Sequence, residues 1–483
     1  MIAQPSWAAT RRGCSGSRNA SRRLEILRCA QNDSNRMTSK PTIALVPTGG
    51  TIQNGLPFVT SSKAGGPLNV LRAQRLHEPV TVRIRREDRD GNPVDDGGDE
   101  FHEVTLTPED GLYLLPYMEP GHEPPQIYSQ FHLTAKRVIE EIDRFSVDTN
   151  GRNGLLSDVA ELRVEMVIDP DTGGELRRGG ETFGMRELVL IANTVNEAIS
   201  RPDVDACIVT HGTFTTEETA AFLNYTVNSR KPVVVAASQR RHGSIGNDGD
   251  WNLWDAVRVA ASPEAAGKGV VVVLDEQIYP AREVTKTNQR PGGFASLGGS
   301  ASAIGSIEAD QVSFYFAPTR LHTAESRVKG ESPLPLALPT VDIVKTYAGA
   351  DDVQVRALID RAVSDREANT SHPGHGIVIE GFAYSGVPHR FQRPALEEAV
   401  RGFGIPVVLT SRGLRGRIPK EPTQDTFITG DNLSGVKARL LLTLAIRVLG
   451  PLTPFADWES PTQAERERLL AEIGRYQEIF DTH

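Results

Sequence analysis

Residues 206–223 read ACIVTHGTFTTEETAAFL. The run opens with small and β-branched apolar residues, passes through Thr210-His211-Gly212-Thr213, and ends in a second apolar stretch. An unbroken apolar run of this kind suits a strand covered on both faces, as strands of a parallel sheet are. Glu217 and Glu218 follow the turn, where acids complement the positive end of a starting helix. A strand over Ala206–Val209 and a helix over Thr216–Asn228 are therefore expected. Strands of an open parallel sheet present their C-terminal ends to a common crevice, where ligands bind. One stretch thus predicts both an α/β fold and the place of a site.

The same alternation extends outward in both directions. Ile43–Val46, Val233–Ala236 and Val270–Leu274 read as further buried strands, and Met185–Ile199 as an amphipathic helix. After residue 340 the pattern resumes with strands at Val341–Val344, Gly376–Ile379 and Pro406–Leu409, and helices at Val353–Ser364 and Pro394–Arg401. The stretch NLSGVKARLLLTLAIRVLG (432–450) is apolar enough for an enclosed helix, and a terminal helix begins with Ser460 as N-cap and Pro461 at its first position. A chain of 483 residues exceeds what one core usually holds. The expected architecture is a larger N-terminal parallel-sheet α/β domain over 41–330 and a smaller C-terminal α/β domain over 341–483. Residues 319–340 have linker composition. Residues 66–150, charged and proline-rich, read as an insertion bearing a β-hairpin over one end of the sheet.

Charge and cysteine usage exclude several classes. Net charge is −9, yet residues 1–40 carry eight Lys/Arg against two Asp/Glu. The body of the chain is therefore acidic, which argues against nucleic acid or an anionic membrane as partner. Residues 1–40 read as a disordered leader or a misassigned start, with Met37 as the true beginning. No stretch approaches the ~18 apolar residues of a membrane span. Cys14, Cys29 and Cys207 give no disulfide framework, so a cytoplasmic setting is expected. No phosphate-binding glycine loop is present. His211, His242 and His322 lack metal-ligand spacing, and SHPGHG (371–376) reads as a loop. Neither a metal nor a cofactor is expected.

Two further segments match the turn at 210–213. IALVPTGGTIQNG (43–55) again runs from a buried strand into glycine and threonine, ending in Thr48-Gly49-Gly50-Thr51. Two such strand ends can point two threonines at one site. VTKTN (284–288) places Lys286 between threonines. A lysine removed from water has a lowered pKa and can take a proton from a hydroxyl.

With these pieces assembled, the chain resembles the bacterial-type L-asparaginases and glutaminase-asparaginases. The resemblance rests on TGGTI (48–52), THGTFTTEETAAFL (210–223), AASQRRHGSIGNDGDWNLWDAV (236–257), VTKTN (284–288), GIVIEGFAYSGVP (376–388), GIPVVLTSRGLRGRI (404–418) and GDNLSGVKARLLLTLAI (430–446), in family order. It implies a large N-terminal and a small C-terminal α/β domain, a homodimer or homotetramer, and amide hydrolysis through a threonine acyl-enzyme on a small-molecule substrate. By the same resemblance Thr51 is the nucleophile, Thr213 and Lys286 move its proton, and Gly50, Thr182, Gly212, Phe214 and Ser238 contact substrate.

Three departures from the family pattern bear on substrate. The aspartate that follows H-G-T and holds a substrate α-ammonium is replaced by Phe214. Residues 53–78 contain no tyrosine, leaving Tyr113, Tyr117 and Tyr128 as replacements for the family's loop tyrosine. At Thr182, Phe183 and Gly184 stand where the family is polar. The leading expectation is an amidohydrolase with altered substrate preference. The alternatives are an ordinary L-asparaginase or glutaminase, and a non-catalytic binding subunit.

Overall fold

The structure is a computed structural model describing residues 40–53, 156–174, 176, 183–240, 248–288, 293–296, 303–308, 311–369, 371–413, 415–420 and 426–483, with short segments between 73 and 127. The first strand, β1 (Thr42–Pro47), is buried along its whole length. Between β1 and its sheet partners the chain forms β2 (Ala73–Arg75), β3 (Val80–Arg85), β4 (Phe101–Leu106), β5 (Leu112–Leu114) and β6 (Gln126–Ile127). β3 and β4 pair antiparallel from Val80↔Leu106 to Arg85↔Phe101, and β2 pairs with β5 in a separate ribbon.

β1 runs parallel to β7 (Glu161–Val164) on one side and to β8 (Ala206–Gly212) on the other. β9 (Val233–Ser238) and β10 (Val270–Leu274) continue the parallel run beyond β8. The antiparallel β11 (Gln277–Pro280) then leads across the ribbon of β12 (Val284–Lys286) and β13 (Phe294–Ser296) to β14 (Gly305–Glu308) and β15 (Gln311–Phe314). The result is an eight-stranded sheet ordered β15-β14-β11-β10-β9-β8-β1-β7.

Period-two alternation divides β1 between two cores. Ala44 and Val46 join Val209, Val235, Val189 and Phe222 on one face, while Ile43 and Leu45 join Ile208, Val234, Leu253 and Val257 on the other. After the short α1 (Leu156–Val159), helices α2 (Met185–Ser200) and α3 (Thr216–Thr226) cover the first face, and α4 (Gly249–Ala261) the second.

The smaller sheet holds β16 (Thr340–Lys345), β17 (His375–Gly381), β18 (Val407–Ser411) and β19 (Ile428–Thr429), all parallel. Its helices are α5 (Val353–Ala368), α6 (Arg393–Phe403), α7 (Gly435–Leu449) and α8 (Gln463–Thr482). α7 packs against both α3 and the strands β16 to β18, and Leu440, Leu441, Leu442 and Leu444 are all fully buried. A helix packed against several neighbours is apolar over most of its surface, and this one is apolar apart from Lys437, Arg439, Thr443 and Arg447.

The large parallel-rich N-terminal sheet and the smaller C-terminal parallel sheet agree with the α/β architecture expected from sequence. Two local expectations change. β8 continues past Val209 through Thr210, His211 and Gly212, because β9 supplies ladder partners as far as Ser238. The terminal helix starts later than Ser460: its N-cap is Thr462, whose hydroxyl accepts the Glu465 N–H while the Glu465 carboxylate accepts the Thr462 N–H. That capping box satisfies two donors that Ser460 would leave unpaired.

The ends of β1 and β8 lie side by side. Thr48 donates to the carbonyl of Thr210 through both its N–H (3.1 Å) and its hydroxyl (2.8 Å). Gly49 and Gly50 then both take φ of 86°, a left-handed turn that only glycine adopts without strain. A Cβ on Gly50 would stand 2.2 Å from the Gly212 nitrogen and 2.6 Å from the His211 carbonyl carbon. Both obstacles are backbone and cannot rotate away. Gly50→Ala is therefore expected to cost about 2–4 kcal/mol, from left-handed strain plus overpacking, read as a lowered denaturation midpoint.

Candidate active site

The glycine turn delivers Thr51 to the head of a 3-10 turn, Thr51–Gln53, seated on β8, β9 and α4. Ile52 is buried and anchors the turn, while Thr51 itself is half-buried. Its hydroxyl thus sits on a fixed base without being sealed in the core.

The neighbouring turn is held by His211. Its Nδ1 lies 2.7 Å from the Gly212 carbonyl, and its Nε2 lies 2.8 Å from the Thr219 hydroxyl. A carbonyl only accepts, so Nδ1 carries the proton and Nε2 accepts from Thr219. Thr216 adds a second donor to the Gly212 carbonyl at 2.7 Å. The Phe183 ring stands edge-on against His211 at 5.4 Å. Full burial pushes the His211 pKa down to about 4, so the ring is neutral in the fold.

Thr213 follows, and Lys286 Nζ donates to its Oγ1 at 2.8 Å. Burial lowers the Lys286 pKa, which moves the amine towards the proton-accepting form. The strand carrying Lys286 is fixed by a second lysine. Lys437, on α7 and fully buried, donates to the carbonyls of Ala281 (3.1 Å), Arg282 (2.9 Å) and Val284. Arg282 bonds Asn432 (2.6 Å) and pairs with the buried Asp431 (3.0 Å). The C-terminal domain therefore sets where the lysine of the N-terminal domain stands. A crevice of about 480 Å³ opens beside this strand, lined by Thr285, Lys345, Glu380, Arg412 and Ser434 among others.

Phe214 is 69% exposed, with its ring 5.4 Å from Lys286 Nζ. Ser238 pairs with Gly212 across the sheet, but its hydroxyl donates to the Arg240 carbonyl at 2.9 Å. Asp248 holds the same loop by accepting the N–H groups of Gln239 and Arg240. Thr182, Tyr117 and Tyr128 lie outside the described residues. The structure brings Gly50, Gly212, Thr213, Phe214 and Lys286 together, with Thr51 next to Gly50 and Ser238 on the adjoining strand end.

Lys437 is missing from the sequence-based candidates, as is the pair of Glu218 on α3 with Arg439 on α7 at 3.2 Å. The available signal was the placement of Lys437 and Arg439 among apolar residues of that helix.

The chain matches the family description "Asparaginase, N-terminal" over residues 144–320 and "Glutaminase/Asparaginase C-terminal domain" over 340–448. The first match begins after the TGGT turn, yet β1 lies between β7 and β8, both inside it. L-asparaginase 2 of Bacillus subtilis is 35% identical over 60% of this chain and 72% of its own length. Glutaminase-asparaginase of Acinetobacter glutaminasificans is 32% identical over 56% and 79% respectively. A solved structure of a probable cytoplasmic L-asparaginase from Campylobacter jejuni superposes with a TM-score of 0.60 at 23% identity, covering 92% of this chain and all of that one. That last likeness concerns the fold. No helix among the described residues is long and apolar enough to cross a membrane.

The neutral His211 has a consequence for acid stability. Between pH 6.5 and about 4 the unfolded chain binds a proton that the folded chain excludes, so stability falls as pH drops through that window. His375 and His483, also lowered to about 4 by burial, act in the same direction. Each is expected to remove about 2 kcal/mol between pH 6.5 and 5. Denaturant midpoints at the two pH values should fall less steeply in His211→Gln than in the unmodified chain.

Proposed function

We propose, for a chain that belongs to the L-asparaginase and glutaminase-asparaginase family, that it cleaves amides through a Thr51 acyl-enzyme. That the chain is a hydrolase of carbon–nitrogen amide bonds follows from the family. The observation that carries the mechanism is the 2.8 Å hydrogen bond from Lys286 to Thr213, beside the turn that carries Thr51. A threonine hydroxyl is a weak nucleophile until a base takes its proton. Lys286, with its pKa lowered by burial, draws the proton by way of Thr213, and Thr51 Oγ1 attacks the substrate carbonyl. N–H groups around Gly50, Thr51 and Thr213 receive the oxyanion, and the amine leaves with the transferred proton. Water then attacks the ester and restores Thr51.

Substrate preference turns on Phe214. A phenyl ring offers no counter-charge to a substrate ammonium, and burying an unpaired ammonium is costly. Amides lacking a free α-ammonium, such as N-substituted amides, imides or small lactams, fit this position better. Ordinary asparaginase activity is the second reading. Two relatives carry that activity in their names, and the exposed Phe214 ring leaves room for it to swing aside. The reaction needs no metal or cofactor, and a cytoplasmic homodimer or homotetramer is proposed with it.

Two experiments test the proposal. Quenched enzyme should show a covalent acyl mass on the TGGT peptide with a turned-over amide. Thr51→Ala should lose both the adduct and turnover while keeping its fold, and Lys286→Met should lose about 10²–10⁴ in kcat. Wild-type turnover in Thr51→Ala would exclude this nucleophile.

Phe214→Asp separates the two substrate readings. Compared with an N-substituted amide, asparagine should be disfavoured at least tenfold in kcat/KM by the unmodified chain, about 1.4 kcal/mol. Phe214→Asp should narrow that gap. A carboxylate near Lys286 also favours its charged form, so the acid limb of the pH–rate profile should move to higher pH. High asparagine turnover in the unmodified chain sinks the altered preference and leaves the ordinary reading.

A further inference from the structure

The three side chains that converge away from the threonines belong to the C-terminal domain. Asp365 lies near the end of α5, His372 on the following loop, and His375 opens β17. His375 Nε2 stands 3.2 Å from Asp365 Oδ2, and His372 Nε2 stands 4.0 Å from the same oxygen. The two imidazoles stack at 4.3 Å with planes 7° apart. One ligand atom from each of the three residues lies within 4.8 Å of the other two.

His375 makes this more than a surface cluster. Its side chain is only 7% exposed, and its Nε2 has no hydrogen-bond partner. The nearby carboxylate oxygen does not satisfy it, because the ring nitrogen is not aligned for a bond. With the proton on Nδ1, two lone-pair atoms face each other at 3.2 Å; with it on Nε2, a buried donor is wasted. A cation between the nitrogen and the carboxylate removes the conflict in the first case, and burial makes that conflict expensive. Among the described residues no arginine pairs with Asp365: Arg361, one helical turn earlier, is paired with Asp342.

We propose that Asp365, His372 and His375 form a divalent-cation site, with zinc as its natural occupant. Two imidazoles and one carboxylate are a common zinc donor set, and zinc accepts a fourth ligand from water. Ligand atoms about 2.0–2.2 Å from a tetrahedral zinc stand roughly 3.4 Å apart, so atoms that now lie within 4.8 Å of one another must draw together by up to about 1.4 Å. Closure needs only small movements at Asp365 and His375. His372 must do more. Its Nδ1 now accepts the Gly374 N–H at 3.1 Å, and parallel rings direct their lone pairs in parallel. Coordination through Nε2 transfers the proton to Nδ1, gives up the Gly374 bond and swings His372 out of the stack. That cost makes the site weaker than a preformed one.

Bound zinc would join the end of α5 to the start of β17 and fix the loop between them. These residues sit at the N-terminal edge of the small sheet, whereas Thr346 and Arg412 follow the C-terminal ends of β16 and β18. The site therefore acts on stability and lies apart from the proposed chemistry.

The test uses the full chain, freed of metal by a chelator. Zinc titrated by calorimetry should bind saturably and raise the melting temperature, and Co2+ should give the visible absorption of a tetrahedral nitrogen and oxygen site. Asp365→Asn, His372→Ala and His375→Gln should each weaken this binding at least about tenfold and remove the Co2+ band. Circular dichroism identifies any variant that fails to fold; the half-buried Asp365 and His372 keep the test decisive if His375→Gln is lost. Absence of saturable zinc binding overturns the proposal. So does zinc binding of equal affinity and stoichiometry in the folded variants, which would place the metal elsewhere.

Discussion

The contact between the Gly50 and Gly212 backbones is the constraint on which the rest depends. Two strand ends can present threonines to one substrate only if their turns lie within a few ångströms, and any side chain at the interface separates them. Removing Cβ from both positions solves the spacing but weakens the local chain, because glycine loses more freedom on folding than any other residue. The fold offsets that cost around the turn. Thr48 fastens it to Thr210, Ile52 anchors its exit, and His211, Thr216 and Thr219 lock the facing carbonyl. The side chains of Thr48, His211, Thr216 and Thr219 are buried and hydrogen-bonded, so the arrangement is rigid for a definite reason.

The second requirement is a lysine in reach of Thr213, and it comes from elsewhere. β12 is a strand of only three residues, too short to fix its own position. Lys437 and the Arg282–Asp431 pair tie it to α7 and to the end of β19. α7 also packs on α3, the helix that begins just after Thr213. One enclosed helix thereby touches the supports of both partners in the Lys286–Thr213 bond. The C-terminal domain contributes geometry to a pair of residues that it does not contain.

Much of this was legible in sequence because it is local. Val233–Ala236 and Val270–Leu274 are uninterrupted apolar runs dominated by valine, and such runs have few other uses. The glycines and threonines of the two turns stand directly at strand ends, where sheet topology assigns sites. What escaped was distant in sequence. Lys437 and Val284 are joined across 153 residues, and nothing in VKARLLL states what the lysine faces. Asp365 lies outside the SHPGHG segment that holds both histidines, so the proposed metal set, spread over a helix end, a loop and a strand, has no spacing that sequence could show. Ser460 failed as a cap for a different reason: two hydroxyl residues compete there, and only Thr462 has an acid three positions on.

The position of β1 bears on how the chain emerges during synthesis. β1 is an interior strand of the sheet, yet Thr48 and its partner Thr210 are 162 residues apart. At a translation rate of about 5–20 residues per second, both edges of β1 wait on the order of ten seconds for partners. An apolar strand with open edges is prone to pair with other chains in that interval. The strands β2 to β6 leave the ribosome first, and they pair among themselves without using β1. The nascent protein thus has a stretch of locally folding chain between an early, sticky strand and the partners that later enclose it. That interval, and not only the stability of the finished fold, is an opportunity for aggregation.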